Sequence, residues 1–113
     1  MAANSIYNNG GANLMAFGQH GSVHIDTTGS DFEPPPGLVF VAIQCLANTT
    51  FTQLEANDTS KYFGTDTASP DPDLDGVGDT LTTSTEFPAG ITFFGRWDKI
   101  DLASGKVIAY FGP

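Results

Sequence analysis

The stretch Asp71–Asp79, DPDLDGVGD, places four carboxylates at alternate or nearly alternate positions around Gly76. Calcium takes about six to eight hard oxygen ligands, and alternating aspartates with a glycine turn can supply several of them. The candidate ligands are Asp71, Asp73, Asp75 and Asp79. Two residues do not fit an EF-hand loop. Thr82 stands where such a loop needs a bidentate Glu, and Pro72 interrupts its beginning. The pattern favours a solvated acidic loop, with a structural calcium ion as the alternative.

The two histidines, His20 and His24, lie four residues apart in the segment GQHGSVH. On a strand this spacing puts both on one face together with Asp26, so a metal site is conceivable. Gly21 interrupts the segment and no Cys or Glu motif accompanies it, which favours surface or interface histidines. No G-x-S-x-G or Cys–His signature occurs either, so the sequence predicts a non-enzymatic protein without a cofactor.

The charge balance opposes two classes of partner. Thirteen acidic residues face four basic ones, the net charge is -9, and no Lys or Arg precedes Lys61. Nucleic-acid binding draws much of its affinity from cations that neutralise phosphates, and anionic membranes attract basic segments in the same way. We therefore expect neither nucleic acid nor a membrane surface as a partner.

Length and composition predict one globular domain. The chain has 113 residues, 40% of them hydrophobic, and its single cysteine, Cys45, lies in an apolar run, where we expect an inert buried thiol. The first residues, MAANSIYNNGGAN, lack the basic-then-apolar layout of a signal peptide, and no apolar run reaches membrane-spanning length. These features predict a protein made in a cytoplasm.

Shifts in apolar density divide the chain into regions. Residues 1–36, rich in Asn and Gly and closed by three prolines, are expected to form an extended N-terminal arm with a stiff elbow. Residues 37–113 are expected to form the folded domain, interrupted by an acidic loop at residues 64–86. This loop is too polar to contribute much to a core.

Short apolar or alternating runs between Gly- and Pro-rich turns predict strands rather than helices. The predicted strands are Ser22–Asp26, Leu38–Leu46, Thr49–Ala56, Thr80–Thr85, Ile91–Trp97, Lys99–Leu102 and Lys106–Phe111. Thr49–Ala56 is expected to pair with Leu38–Leu46, Phe87–Gly90 to form a type I turn, and Ala103–Gly105 to close a hairpin with Gly105 left-handed. The predicted fold is all-β, a small antiparallel β-sandwich or jelly-roll-like barrel.

Two strands are apolar on both faces, Leu38–Ile43 and Val107–Phe111. A small antiparallel sheet usually has one wet face, so two dry faces predict that one meets the core and the other meets another chain. The alternative is that a loop or the arm covers the second face. Arg96-Trp97 offers residue types that are enriched at binding hot spots, although Trp97 could equally fill the core while Arg96 pairs with Asp98 or Asp101.

Two segments carry a resemblance: GLVFVAIQCLANTTFTQLEAND at residues 37–58 and TEFPAGITFFGRWDKIDLASGKVIAYFGP at residues 85–113. From Gly37 to Phe111 the chain resembles small structural proteins of tailed bacteriophages, particularly cyanophages. The shared pattern is an apolar strand, a T-F-T-x-L hairpin, a polar insert, F-P-A-G-[apolar]-x-[aromatic]-x-G-R and A-S-G-x-[apolar]-I-A-Y. The matching positions are Phe51, Leu54, Pro88, Gly90, Gly95, Arg96, Ser104, Gly105, Ile108 and Tyr110.

The resemblance implies a virion component, most plausibly a capsid cement or decoration protein. Such proteins are commonly homotrimers on the outside of the head, where they bridge subunits of the major capsid protein. The arm would then reach across a neighbouring subunit. The expected partner-binding residues are Ile6, Tyr7, Leu14, Met15, Phe17, Arg96, Trp97 and Tyr110. The alternative is a trimeric tail or fibre tip that binds a host receptor or glycan.

Overall fold

A computed structural model describes residues 19–66 and 73–113 of the chain. All of the regular elements in these ranges are strands. They are β1 (Ser22–Ile25), β2 (Val39–Cys45), β3 (Thr50–Ala56), β4 (Thr92–Ser104) and β5 (Val107–Gly112). The predicted all-β class is therefore confirmed.

The strands form one five-stranded sheet in the order β1-β5-β2-β4-β3, and every neighbouring pair is antiparallel. The strands that are apolar on both faces, β2 and β5, lie side by side in its interior, where both faces can be covered. Because the described strands form one connected sheet, the finer prediction of a sandwich or jelly-roll-like barrel stays a prediction.

The longest strand, β4, joins two parts of the sheet. The sequence predicted two strands here, Ile91–Trp97 and Lys99–Leu102, but one strand of 13 residues spans them. Its first half pairs with β2 and its second half pairs with β3. Beyond the part paired with β2, Ile100 exchanges two backbone hydrogen bonds with Phe32, at 2.8 and 2.9 Å. Phe32 therefore pairs with the edge of β4 beyond the point where the pairing with β2 ends.

Two predicted hairpins are wrong. The segment Thr49–Ala56 was expected to pair with Leu38–Leu46, yet β3 pairs with β4 instead. Gly105 and Lys106 join β4 to β5, which are not neighbours in the sheet, so the predicted connection at Ala103–Gly105 does not close a hairpin. Gly105 does adopt the predicted left-handed conformation, with φ +91°. A side chain there would collide with Asn48 and Thr49, which shows how tightly this crossing packs.

Thr80–Thr85 is a turn and not the predicted strand. The amide of Thr85 donates to the carbonyl of Thr82 at 3.0 Å, and the two threonine side chains bond within the same turn. Threonine hydroxyls compete for local backbone groups in this way when no apolar face commits the segment to a sheet. Ala89 and Gly90 do form a turn before β4, but the amide of Gly90 donates to the carbonyl of Cys45 at 2.7 Å, so the type I geometry predicted for Phe87–Gly90 stays a prediction.

The predicted arm overlaps the sheet. Residues 22–25 are β1, and Thr28 and Phe32 form bridges to β4, so the described part of residues 1–36 belongs largely to the folded domain. Ile25 and Phe32 explain this difference, since both side chains pack into or against the core. The remainder of the predicted arm, residues 1–18, lies outside the described residues.

The core is built around Trp97, whose side chain is fully buried. Its indole Nε1 donates to the carbonyl of Phe63 at 3.0 Å, and the ring meets Phe63 and Phe93 edge to face. A Cβ at Gly95 would lie 2.6 Å from the indole, so the ring occupies the space that a side chain would need at that position. The buried aliphatic residues of β2, β3, β4 and β5 complete this core.

Candidate binding face

The strand register defines a face of the sheet that points away from the core. One row across four strands contains Phe94, Ala42, Tyr110 and Ser22, and the next contains Thr92, Gln44, Ile108 and His24. We call these eight residues the outer face. Since successive side chains of a strand alternate between faces, the intervening rows point into the core.

The rows between them have a different composition. The row Phe93, Ile43, Ala109 and Val23 is apolar throughout, and each of these side chains is buried in the core or packed against it. A bulge in β2 between Phe40 and Ala42 shifts the alternation, so that Phe40 pairs with Trp97 inside while Ala42 pairs with Phe94 outside. The bulge therefore decides which residues of β2 reach the outer face.

Burial across the outer face is graded. Ala42 at its centre is fully buried, whereas Phe94 is 53% exposed. Tyr110, Ile108 and Gln44 are half-buried, and Ser22, His24 and Thr92 are exposed. The face thus mixes apolar and aromatic side chains with polar ones: Ala42, Ile108, Tyr110 and Phe94 alternate with Gln44, Thr92, Ser22 and His24.

The outer face contains none of the 13 acidic residues of the chain. Its one titratable group other than the Tyr110 phenol is His24. Arg96 follows Phe94 by two residues on β4 and so lies on the same side. Asp26 and Asp98 are the first carboxylates beyond the two rows along β1 and β4. In a chain of net charge -9, the outer face is therefore an uncharged area on an acidic protein.

Two of the predicted partner-binding residues belong to this face or border it, namely Tyr110 and Arg96. Trp97 does not: its side chain has 0% exposure, so the hot-spot alternative is wrong for this residue and the core alternative is confirmed. Within the described ranges Arg96 forms no ion pair with Asp98 or Asp101, and Asp98 instead accepts a hydrogen bond from the Asn57 side chain at 3.2 Å. The five arm residues, Ile6, Tyr7, Leu14, Met15 and Phe17, lie outside the described residues.

The sequence did not point to Phe94 or Ile108 as surface residues. The run ITFFGRW contains two adjacent phenylalanines, Phe93 and Phe94, and in a strand one must point toward the core and the other away from it. The sequence pattern does not show which of the two points toward the core. The pairing of Ala42 with Phe94, beyond the bulge in β2, decides it. The signal available in the sequence was the double apolar face of β2 and β5, which predicted a second contact surface.

The candidate metal ligands are not gathered into a centre. Among residues 19–66 and 73–113, no three His, Cys, Asp or Glu side chains are grouped so that they could hold a metal ion. Of the proposed calcium ligands, Asp73, Asp75 and Asp79 are exposed, while Asp71 lies outside the described residues. The histidine pair lies at the start of the sheet, with His24 on the outer face and His20 before β1.

The thiol of Cys45 lies on the inner side of the sheet in a row with Val107 and Ile25. Burial raises the pKa of this thiol, while a hydrogen bond with Thr49 lowers it to a smaller extent. A buried, protonated thiol is a poor nucleophile, so the side chain serves as a small core residue.

Comparisons with models of known protein families, with curated proteins and with solved structures gave no match for this chain. Within the described residues, no helix has the length and apolar character needed to cross a membrane. The resemblance to tailed-bacteriophage structural proteins therefore stays a prediction that depends on the quoted sequence motifs.

Proposed function

We propose that this chain is a virion structural protein of the capsid cement or decoration type, which binds the outside of a tailed-bacteriophage head through its outer face. The observation that carries the proposal is the uncharged outer face on a protein of net charge -9. The resemblance of residues 37–111 to such proteins supplies the partner, the major capsid protein, and the location, the exterior of the virion. A homotrimer is part of the same proposal.

The outer face is suited to docking because it combines apolar contact with a rigid base. Phe94 and Tyr110 supply aromatic area, and both extend from strands whose opposite faces are anchored in the core. A partner loses little by covering this surface, since no carboxylate would have to be stripped of water. The acidic residues elsewhere on the chain would keep the attached protein soluble and facing water.

The mechanism is mechanical. Each copy would bury a modest apolar area against the shell, and contacts with two neighbouring capsid subunits would bridge them. Many such bridges on one shell add through effective concentration rather than through a single strong contact. The bridges would raise the free energy needed to separate capsid subunits under the pressure of packaged DNA.

The glycan-binding alternative places Arg96, Trp97 and the acidic loop at residues 64–86 at the sugar site. The side chain of Trp97 is fully buried in the core, so it cannot contact a sugar there. We therefore propose the cement function alone.

The test compares two substitutions that add the same charge at two exposed threonines. Thr92→Glu places a carboxylate on the outer face, whereas Thr83→Glu places it in the turn beyond the sheet. Purified protein would be sedimented with heads of the encoding phage that lack it. We expect wild type and Thr83→Glu to bind alike and Thr92→Glu to bind at least about tenfold more weakly, the equivalent of about 1.4 kcal/mol.

Equal binding by both variants would contradict docking through the outer face. Absence of the protein from purified virions would contradict the cement function itself.

A further inference from the structure

The acidic loop contains one dipeptide with a chemistry of its own. Ten residues of the chain are aspartates, and Asp75 is the one that a glycine follows. The carboxyl carbon of an aspartate lies close enough to the next amide nitrogen of the chain for the two to close a five-membered ring. Glycine has no Cβ, so its amide nitrogen is the least shielded from the side chain before it. Asp75-Gly76 is therefore the dipeptide at which this ring closure meets the least steric resistance.

The fold leaves this dipeptide exposed and without close neighbours. Both residues are exposed to water and lie outside the strands. Gly76 has φ +121°, and among the described residues no atom lies within 4 Å of the position that a Cβ would take there. Ring closure requires a local rotation of the backbone, which costs least free energy in an exposed segment with few packing contacts. The surroundings of Gly76 therefore do not oppose the rotation.

Other aspartates have carboxylates that the chain holds in place. The carboxylate of Asp58 accepts hydrogen bonds from the amide and the hydroxyl of Ser60, and that of Asp66 accepts one from the amide of Ala56 at 3.2 Å. Such bonds restrain a carboxylate from turning toward the next amide of its own chain. Within residues 19–66 and 73–113, no hydrogen bond or ion pair restrains the carboxylate of Asp75 in this way.

We propose that Asp75 is a site of spontaneous isomerisation to an L-isoaspartyl residue. The amide nitrogen of Gly76 forms a bond to the carboxyl carbon of the Asp75 side chain, and one carboxyl oxygen leaves as water with the protons of the acid and the amide. The product is a cyclic succinimide. A water molecule then adds to one of its two carbonyl carbons and breaks the bond from that carbon to nitrogen. When the original main-chain bond is the one that breaks, the chain continues through the side-chain carbon as an isoaspartyl residue.

The product differs from the original chain in backbone length and not in charge. One methylene group enters the backbone, the former main-chain carbonyl becomes the free carboxylate, and the net charge of -9 is unchanged. None of residues 73–79 belongs to the core cluster or packs against it, so we expect the free energy of unfolding to stay the same. The reaction needs only water and the chain itself, and it is therefore independent of the proposed binding to capsids.

The test follows the whole purified chain during prolonged incubation in neutral buffer. Trypsin releases the acidic loop within one peptide, residues 62–96, and electron-transfer fragmentation distinguishes isoaspartyl from aspartyl residues of equal mass. Asp73 and Asp79 are internal references, because both are exposed in the same loop but precede residues larger than glycine. We expect Asp75 to convert at least about tenfold faster than either, the equivalent of about 1.4 kcal/mol in activation free energy.

Two variants serve as matched controls for the chemistry. Asp75→Glu keeps the charge but would have to close a six-membered ring, and Gly76→Ala places a methyl group beside the attacking nitrogen. We expect conversion at position 75 to fall by at least about tenfold in both variants. Unchanged far-UV circular dichroism would show that both variants keep the sheet.

Incubation in urea tests whether the fold leaves the dipeptide free to react. We expect Asp75 to convert in the native protein at a rate within about tenfold of its rate in the unfolded chain. A larger difference, with the native protein slower, would overturn the proposal by showing that the fold protects the dipeptide. Conversion at Asp75 no faster than at Asp73 and Asp79 would overturn it as well.

Discussion

Phe93 and Phe94 are neighbours on β4 with the same side chain and opposite environments. Phe93 stacks on Phe87 with ring centroids 4.5 Å apart and also meets the rings of Phe51, Phe63 and Trp97. Phe94 lies on the outer face and is 53% exposed. The inner face is thus an aromatic core that holds the sheet together, and the outer face is apolar surface that the fold does not need in full.

The difference between the two faces indicates what each is for. Apolar surface left in water costs free energy of roughly 25 cal/mol per Å², and a chain rich in acidic residues could have placed polar side chains there instead. Exposed aromatic area without a carboxylate is therefore the part of the molecule that we propose meets a partner. Four predictions test this contrast, taken from the largest expected effect to the smallest.

Replacing each phenylalanine by alanine should separate the two faces most strongly. Phe93→Ala should lower the free energy of unfolding by about 3–5 kcal/mol, because it leaves a cavity among four aromatic rings. Phe94→Ala should lower it by about 1 kcal/mol or less, because half of the side chain already meets water. Urea unfolding followed by the fluorescence of Trp97 measures both.

Equal losses from the two substitutions would show that the outer face also supports the fold, and the contrast would then fail.

A pair of glycines tests the tight connection between β4 and β5 at Gly105. Gly105 and Gly90 have similar backbone angles, φ +91° and +93°, but only Gly105 has neighbours where a side chain would go. Gly90→Ala should cost about 1–2 kcal/mol from the backbone angle alone. Gly105→Ala should cost about 2–4 kcal/mol, because its methyl group would also displace Asn48 and Thr49.

Thermal unfolding of the two variants under one buffer condition gives the comparison. If Gly90→Ala proved the more damaging, the tight crossing at Gly105 could not be what holds β5 in place.

The pKa of the Cys45 thiol tests whether water is excluded from the inner face of the sheet. Burial raises the pKa of this thiol, so the unfolded chain releases the proton at a lower pH than the folded chain. Stability is then unaffected well below the ordinary thiol pKa and falls as the pH rises above it, by no more than about 1.4 kcal/mol per pH unit. Cys45→Ala should lose this part of the alkaline pH dependence.

Thiol reagents should also leave Cys45 unmodified until the protein unfolds. Rapid modification of the native protein at neutral pH would mean that water reaches the inner face.

The smallest effect is expected at Asp58, which lies on neither face. Hydrogen bonds from the hydroxyl and the amide of Ser60 lower the pKa of its carboxyl, with a smaller contribution from Lys61. The stabilisation is therefore present above the ordinary pKa of an aspartate and is lost as the pH falls through the lowered value. Asp58→Asn should remove that acid dependence and lower the stability slightly at neutral pH, where the carboxyl group is charged, and the two proteins should converge in acid. NMR titration of the wild-type carboxyl group checks the lowered pKa.

A carboxyl group at Asp58 that titrates at or above the ordinary value would contradict the local hydrogen bonds as the cause.

Local pattern was sufficient to locate several strands. The alternating SVHID, the continuous apolar run LVFVAIQCL and the terminal KVIAYF all form strands within one residue or so of the predicted limits. The same reasoning was wrong for TLTTST, because β-branched threonine suits a strand only when a neighbour exposes an edge and a face for it. The predicted pairing of Thr49–Ala56 with the preceding strand was wrong for a related reason: proximity in sequence favours a hairpin but does not require one.

The candidate face was only half predictable. Two apolar sides on β2 and β5 predicted a second contact surface, with Tyr110 named among its residues, and contact with another chain there stays a prediction. The sequence could not show whether Trp97 lies in the core or on the surface, because tryptophan on a strand is found both in cores and at interfaces. Phe94 was not named at all.

The sequence alone determined that this protein is acidic and all-β, and that its strands carry more apolar side chains than one face of a sheet needs. Composition and the alternation of side chains determine these properties because they depend on only a few neighbouring residues. Which strands became neighbours, and hence which aromatic rings face the core and which face water, was decided only by the folded chain. The reason is that one residue of bulge in β2 moves every following side chain to the opposite face, and such a shift is determined by contacts between segments far apart in sequence.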